Sequence, residues 1–342
     1  MNNPLMSSAP GPELVRALFA ALADGGLHSG ADLAADHGVT RGGIWKAIEN
    51  LRQLGLPVLA VPNRGYHLAQ AVAPLSAPCI LSQLRPAHRA RIEDCEVLWS
   101  AGSTNSLLLE MSAIRSGMLR VLLAENQQSG RGRRGRAWQA ALGSGLSMSL
   151  GFGVDALPRD FGGLTLVVGL AVLSALTAAG AQPLAVKWPN DMVSGLRKIG
   201  GILTELRAEA GGPAWVVCGI GLNVALPAAL LAALEREGAL AGDLRSLGLR
   251  DDRNTLAARV LEHCIDDITL FLNQGLAPFQ ARWREHDALL GRQVQVESAG
   301  RVFQGRACGI DESGALLVDT VSGRTAVVAG EVSVRPDRGQ TG

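Results

Sequence analysis

The sequence predicts a multidomain α+β chain from three observations. Residues 11–70 read as a compact helical unit closing in a hairpin, Leu98 to about Trp283 alternates strand-like and helical segments, and the chain after Gly291 turns to short alternating strands. At 342 residues there is enough chain for more than one hydrophobic core. Lys and Arg number 32 against 31 Asp and Glu, so no global field draws the protein to nucleic acid or anionic lipid. Any such binding must rest on a local patch.

In the first unit, Pro12–Ala23 places Leu14, Ala17, Leu18 and Leu22 at helical spacing. Ser29 is positioned to cap a second helix that turns Leu33 inward, and Thr40 to cap a third carrying Ile44, Ile48 and Leu51. Two short strand-like runs, from Val58 and from Tyr66, flank Asn63-Arg64-Gly65. Helix, turn, helix and hairpin together predict a winged helix-turn-helix. Thr40, Arg41, Lys46 and Arg52 on the third helix, with Arg64 at the wing tip, are the candidate DNA contacts. Consecutive glycines Gly42 and Gly43 weaken that helix by about 1 kcal/mol each relative to alanine. Ala71–Pro78 is Pro-rich and reads as a linker.

In the middle region the uncharged run Gly162–Val186 approaches membrane-spanning length. Ser174, Thr177, Gly180, Gln182 and Pro183 dilute it and no basic cluster flanks it, so a buried helix is expected and no membrane partner. Met1–Ser8 lacks a basic region followed by an apolar core, which predicts no export signal. The five cysteines, Cys79, Cys95, Cys218, Cys264 and Cys308, contain no C-x-x-C pair, and the six histidines show no ligand spacing. This argues against a disulfide framework and a zinc site, and for the reducing cytoplasm.

The most informative stretch is Gln127–Arg136, closed by Trp138, with four arginines and three glycines in Gly130–Arg136. Glycines let backbone N–H groups turn inward as an anion-binding concavity, and each arginine adds a fork of donors matched to carboxylate or phosphate. Gly130–Gly135 formally satisfies G-x-G-x-x-G, but Arg136-Ala-Trp-Gln follows where a dinucleotide fold needs an apolar helix. A basic tail is equally unsuited, because the run lies mid-chain between strand-like segments. Four further segments surround it: Ser100–Asn105, Lys187-Trp-Pro-Asn-Asp191, Arg197-Lys198-Ile-Gly-Gly, and Val216–Asn223. Alone, each reads equally as a helix cap, a turn, a surface lysine or a buried strand.

In this order and spacing, these segments resemble the bacterial bifunctional biotin–protein ligases that also repress the biotin operon. The resemblance extends from His28-Ser-Gly and Gly65-Tyr through Asp252–Ala258 and Gly275-Leu-Ala-Pro to Gly309-Ile-Asp, Gly314-Ala-Leu-Leu and Gly330-Glu-Val-Ser. It implies a winged helix-turn-helix over 1–73, a class II synthetase-like biotin–lipoate ligase domain with a mixed sheet over 74–288, and an SH3-like β-barrel over 289–338. The implied enzyme activates biotin with ATP and Mg²⁺ to biotinyl-5′-AMP, then biotinylates a lysine of the biotin carboxyl carrier protein of acetyl-CoA carboxylase. With that adenylate as corepressor, a homodimer would bind biotin operator DNA. By resemblance, Ser103, Thr104, Asn105, Gln127, Arg131, Gly132, Arg133 and Lys198 bind biotin, with Lys198, Arg131 and Arg133 catalytic. Lys187, Asn190, Asp191 and Asn223 serve the nucleotide, and Asp191 the metal. Departures from the family pattern are Gly102 for an acidic residue, Ala137 for a basic one, Gln139 for an aromatic, and the Gly42-Gly43 pair. A non-catalytic biotin-sensing repressor and a lipoate-type ligase are the alternative readings.

Overall fold

The computed structural model describes residues 11–112, 114–208 and 214–334. The segment Met1–Ser8 and residues 335–338 of the expected barrel domain lie outside the described residues.

The N-terminal unit consists of Pro12–Leu22 (α1), Gly30–Asp36 (α2), Arg41–Gln53 (α3), and the antiparallel hairpin Val58–Val61 (β1) with Gly65–Leu68 (β2). Both expected caps form: Ser29 Oγ accepts from Ala31 N at 3.2 Å and Thr40 Oγ1 from Gly43 N at 3.1 Å. Gly42 and Gly43 lie within α3, whose buried side is Ile44, Ala47, Ile48 and Leu51. In α1 the buried stripe is Val15, Leu18, Phe19 and Leu22, while Leu14 and Ala17 are only partly covered. The buried stripe is thus offset by one residue from the Leu14–Ala17 reading, and it takes in the aromatic Phe19. The wing is pinned where His28 bridges Tyr66; a Cβ on Gly65 (φ 135°) would lie 1.9 Å from the His28 carbonyl.

The expected linker is not a free tether. Ser76 caps Ala77–Ser82 (α4), and the residues before it are clamped. Arg253 donates to the Ala73 carbonyl at 2.8 Å, Asn254 Nδ2 to that of Pro74 at 2.9 Å, and Leu75 N donates to Glu125 Oε1 at 2.5 Å. Arg253 and Glu125 themselves pair at 2.8 Å with both side chains buried.

The middle region continues through Pro86–Arg89 (α5), Ile92–Ala101 (β3), Thr104–Glu110 (α6), Leu119–Gln127 (β4), Gly145–Val154 (β5) and Leu164–Ala178 (α7). Then come Ala185–Lys187 (β6), Asp191–Ser194 (β7), Arg197–Ala208 (β8), Ala214–Asn223 (β9), Ala228–Arg236 (α8), Arg253–Gln274 (α9) and Gln280–His286 (α10). Seven strands form a mixed sheet in the order β3-β4-β5-β9-β8-β7-β6, parallel only between β3 and β4. Strand alternation separates its two faces. Leu146, Met148, Leu150 and Phe152 of β5, with Val216, Cys218, Ile220 and Leu222 of β9, join the core with α7 and α9. Ser147, Ser149, Gly219 and Gly221 occupy the alternate positions. Residues Phe161–Ala178 are apolar and long enough to cross a membrane, yet 67% of that window is buried inside the fold, so α7 is a core helix. The helix is shorter than the uncharged run: the chain turns at Gly180 (φ 92°) and the remainder enters β6.

The C-terminal unit is a five-stranded antiparallel sheet of Gln293–Ser298 (β10), Arg301–Ile310 (β11), Leu316–Thr320 (β12), Gly323–Val327 (β13) and Glu331–Val334 (β14), ordered β13-β12-β11-β10-β14. The four longer strands carry the short alternation read after Gly291; β14, at four residues, is too short to show it. Its core is continuous with that of the large sheet. Trp188 Nε1 donates to the Gly314 carbonyl at 3.0 Å across the junction.

Candidate active site and DNA-binding face

A cavity of about 210 Å³ opens where the site face of the large sheet meets the arginine loop and β14. It is lined by Ser103, Thr104, Asn105, Gln127, Arg131, Gly132, Arg133, Lys187, Asn190, Asp191 and Lys198. Segments nearly a hundred residues apart in sequence thus converge on one space.

One end is a neutral polar pocket. Ser103 caps α6 and presents Thr104 and Asn105 from its first turn, all three buried. Gln127 Oε1 accepts from Thr104 N at 2.9 Å and lies 3.2 Å from its hydroxyl. Ser149 Oγ sits 2.7 Å from Thr104 Oγ1 and 2.6 Å from Asn105 Oδ1. Asn105 Nδ2 donates to the Leu203 carbonyl and to Glu205 Oε2 at 3.0 and 2.9 Å. Glycine is required opposite: a Cβ on Gly219 would lie 2.3 Å from Asn105 Oδ1, and one on Gly221 2.7 Å from the Trp138 indole.

The other end is cationic. The arginine loop folds into a small lobe: Gly132 N donates to the Arg136 carbonyl at 2.7 Å and Trp138 N to that of Gly130 at 2.8 Å. The turn needs positive φ at Arg134 (55°) and Gly135 (73°). Arg131 pairs with both oxygens of Glu205 at 3.0 and 3.1 Å, and Arg136 with Glu331 of β14. Arg133 Nη1 reaches Asn190 Oδ1 at 3.5 Å. Lys187-Trp-Pro-Asn-Asp191 is both a turn and a wall of the cavity, joining β6 to β7 with Lys187 and Asp191 in register. Lys198, at the start of β8, contacts Asp191 Oδ1 at 2.6 Å and lies 5.8 Å from the Trp138 ring centroid. Burial lowers the pKa of Lys187 against the pull of Asp191, and lowers that of Arg133, whose guanidinium remains cationic. Arg131, Arg133, Arg136 and Lys198 thus each lean on a side chain, Glu205, Asn190, Glu331 and Asp191 respectively, for which an anionic ligand would compete.

Asn223 is not brought to this space. It is buried at the end of β9, donating to the carbonyls of Gly242 at 3.0 Å and Lys198 at 3.4 Å, so it holds the strand that carries Lys198. Three contributors went unassigned from sequence: Ser149, Glu205 and Glu331. Glu205 was within reach, because it continues the period-2 face of Gly201 and Leu203 on β8. Among the described residues no cluster of three or more His, Cys, Asp or Glu suits a metal, and all five cysteines are free. Burial pushes the Cys218 thiol up to about 12 and Cys95 to about 11.

On the N-terminal unit, Arg41 and Arg64 line one cleft between α2, α3 and the wing. Thr40 is engaged as a cap, and Lys46 stands half-buried on α3. Arg52 is engaged within the unit: its Nε donates to the Val58 carbonyl at 2.9 Å and its Nη1 meets Glu49 at 2.5 Å, so it stitches α3 to β1.

A winged helix joined to a mixed-sheet domain with a polar pocket beside a cationic loop defines a DNA-binding protein fused to an anion-activating enzyme. Residues 101–223 match the biotin/lipoate A/B protein ligase family, 289–335 the biotin protein ligase C terminal domain, and 16–67 an HTH domain. The bifunctional ligase/repressor BirA of Escherichia coli strain K12 is 36% identical over 319 residues, covering 93% of this chain and 96% of its own. The biotin--[acetyl-CoA-carboxylase] ligase of Mycobacterium tuberculosis is 37% identical over 245 residues, 69% of this chain and 87% of its own. Among solved structures, the biotin protein ligase of Aquifex aeolicus in complex with biotin and ATP matches with TM-score 0.59 at 28% identity, over 71% of this chain and 99% of that one. The chain belongs to the family of bifunctional biotin–protein ligase/repressors.

Proposed function

We propose that the cavity joins biotin to AMP and then biotinylates the carrier protein of acetyl-CoA carboxylase, while the winged helix represses from operator DNA with biotinyl-5′-AMP as corepressor. The observation that carries this reading is the convergence of Arg131, Arg133, Lys187 and Lys198 on one cavity beside the Ser103–Asn105 and Gln127 pocket. In the first step a carboxylate oxygen of biotin bonds to the α-phosphorus of ATP, and the bond to the pyrophosphate leaving group breaks. In the second, a lysine amine attacks the acyl carbon and AMP leaves. No enzyme nucleophile is required. The chain's part is positioning and stabilising charge.

The hydroxyls and amides of Ser103, Thr104, Asn105 and Gln127 suit the ureido ring. Arg131, Gly132 and Arg133 close the loop over the carboxylate and α-phosphate, excluding water from the anhydride. Lys198 bridges the same two groups, which requires it to exchange Asp191 for phosphate. Lys187 and Asn190 face the nucleotide, and Asn223 serves it only by seating Lys198. Asp191 suits magnesium, which binds through one or two carboxylates plus substrate phosphates and would neutralise phosphate charge there. We read the domains as 1–73, 74–288 and 289–338, the protein as cytoplasmic with no membrane partner, and the repressor as a dimer formed on the adenylate. Free cysteines support the compartment, and the edge position of β3 offers a strand for pairing copies.

The test is biotin-dependent ATP–pyrophosphate exchange, with lipoate in parallel. Exchange is expected with biotin only, falling about 100-fold or more in Lys198→Ala. A folded protein that binds biotin yet exchanges with neither acid is a sensor, and this reading fails.

A further inference from the structure

The third helix carries an exposed aromatic that neither the fold nor the ligase site uses. Trp45 is 54% exposed on α3, one turn beyond Arg41 and Gly42, which are also exposed. Gly42 and Gly43 have no internal explanation. Neither has positive φ, and a Cβ on either would meet nothing nearer than 3.5 Å, so alanine fits both positions and favours the helix. Bare backbone on the outward side of α3 makes sense where another surface comes close. That surface is anionic in character: Arg41 and Arg64 share the adjacent cleft, and the acid on the same helix, Glu49, is neutralised by Arg52.

We propose that Trp45 is a base-reading residue of the DNA site, seated in the major groove where Gly42 and Gly43 let the start of α3 approach the base edges. An indole has one donor and a broad apolar face, so the expected contact is apolar, of the kind made with a thymine methyl group. Arg41 and Arg64 then hold the register on phosphates. This deepens the DNA-binding reading above and rests on it.

The full-length protein, with biotin, ATP and magnesium, would select from a randomised 40-base-pair duplex pool. Affinity is then measured against salt on the selected duplex and on a scrambled duplex of the same composition. Trp45→Ala should lose about tenfold on the selected duplex and under about twofold on the scrambled one, with an unchanged salt slope, since an apolar contact releases no counterions. Gly42→Ala should raise the melting temperature while weakening the selected duplex. Arg64→Ala should weaken both duplexes and lower the slope by about one. Pyrophosphate exchange and melting of Trp45→Ala should match the parent protein. If the parent selects no sequence, DNA recognition fails and this inference with it. If the parent selects one and Trp45→Ala discriminates as well as the parent, or loses both duplexes equally, the inference alone is overturned.

Discussion

At the residue scale, the cavity works by exchange of partners. Lys187 shows it through its proton: burial lowers its pKa below the ordinary 10.5, and the charge of Asp191 offsets only part of that. Between the lowered and the ordinary value the unfolded chain binds more protons, so the lysine's contribution to stability rises with pH through that window. Polyphosphate favours the charged form, so binding takes up a proton and weakens as pH rises through the lowered pKa. Calorimetric titration of ATP from pH 7 to 10 should show affinity falling in the alkaline range for the parent protein. Lys187→Arg, charged throughout, should hold its affinity. Equal pH dependence in both would place the titration elsewhere. The cations of the site were legible in the sequence because arginine and lysine clusters are conspicuous. Ser149 is not, because a lone hydroxyl within an apolar strand shows its role only once β4, β5, β8 and β9 are laid side by side, whereas Glu205 follows from the period-2 face of β8. Asn223 is the converse case: its type suits a ligand, and only the register of β9 shows its amide on backbone carbonyls.

At the scale of elements, β9 shapes the pocket by what it lacks. Gly219 and Gly221 leave room for Asn105 and for the Trp138 indole that closes the arginine lobe. Gly219→Ala puts a methyl into Asn105, an overpacking change costing about 1–3 kcal/mol. The KM for biotin should rise about tenfold or more while the KM for ATP moves little; a matching rise in both would show that the strand itself had shifted. The lobe is anchored differently, through Arg136 and Arg134 to Glu331 of β14. Arg136 and Arg134 are exposed and Glu331 is half-buried, so Glu331→Gln should remove about 1 kcal/mol of closure, roughly fivefold. The expected sign is leakage: more AMP released per biotin transferred to carrier. An unchanged ratio would mean that the lobe closes without the C-terminal sheet. Glycines within an apolar strand permit close approach, and what approaches these two is protein side chain, fixed by α6 and the loop. The winged helix was legible almost residue by residue, since caps, turn glycines and helical spacing are local signals. The end of α7 was not, because one apolar run there feeds a core helix and then a core strand.

For the whole molecule, the decisive joint is the segment Ala73–Ser76. Its proline-rich composition reads as a tether, but the structure holds it in a clamp made by β4 and the first turn of α9. Glu125 and Arg253 form the clamp's buried pair, and the same two side chains bind the Leu75 amide and the Ala73 carbonyl. Nearby, Leu142 N donates to the Leu54 carbonyl at 2.9 Å, and Phe19 packs on Trp99 at 5.5 Å, so the helical unit is seated on the ligase domain. Glu125 lies two residues before Gln127 of the polar pocket, on the same strand face. A single element therefore carries a pocket side chain and the anchor of the DNA-binding unit. Arg253→Met leaves Glu125 buried without its partner and should cost about 3–5 kcal/mol. Calorimetry should then resolve the winged helix as a separate, earlier transition, where the parent melts as a coupled unit. Restoring neutrality with Glu125→Gln in the Arg253→Met background should recover much of that loss, because removing both charges abolishes the desolvation penalty of the survivor. If the double variant is no more stable than Arg253→Met alone, the clamp acts through its hydrogen bonds to the linker backbone rather than through its buried charges.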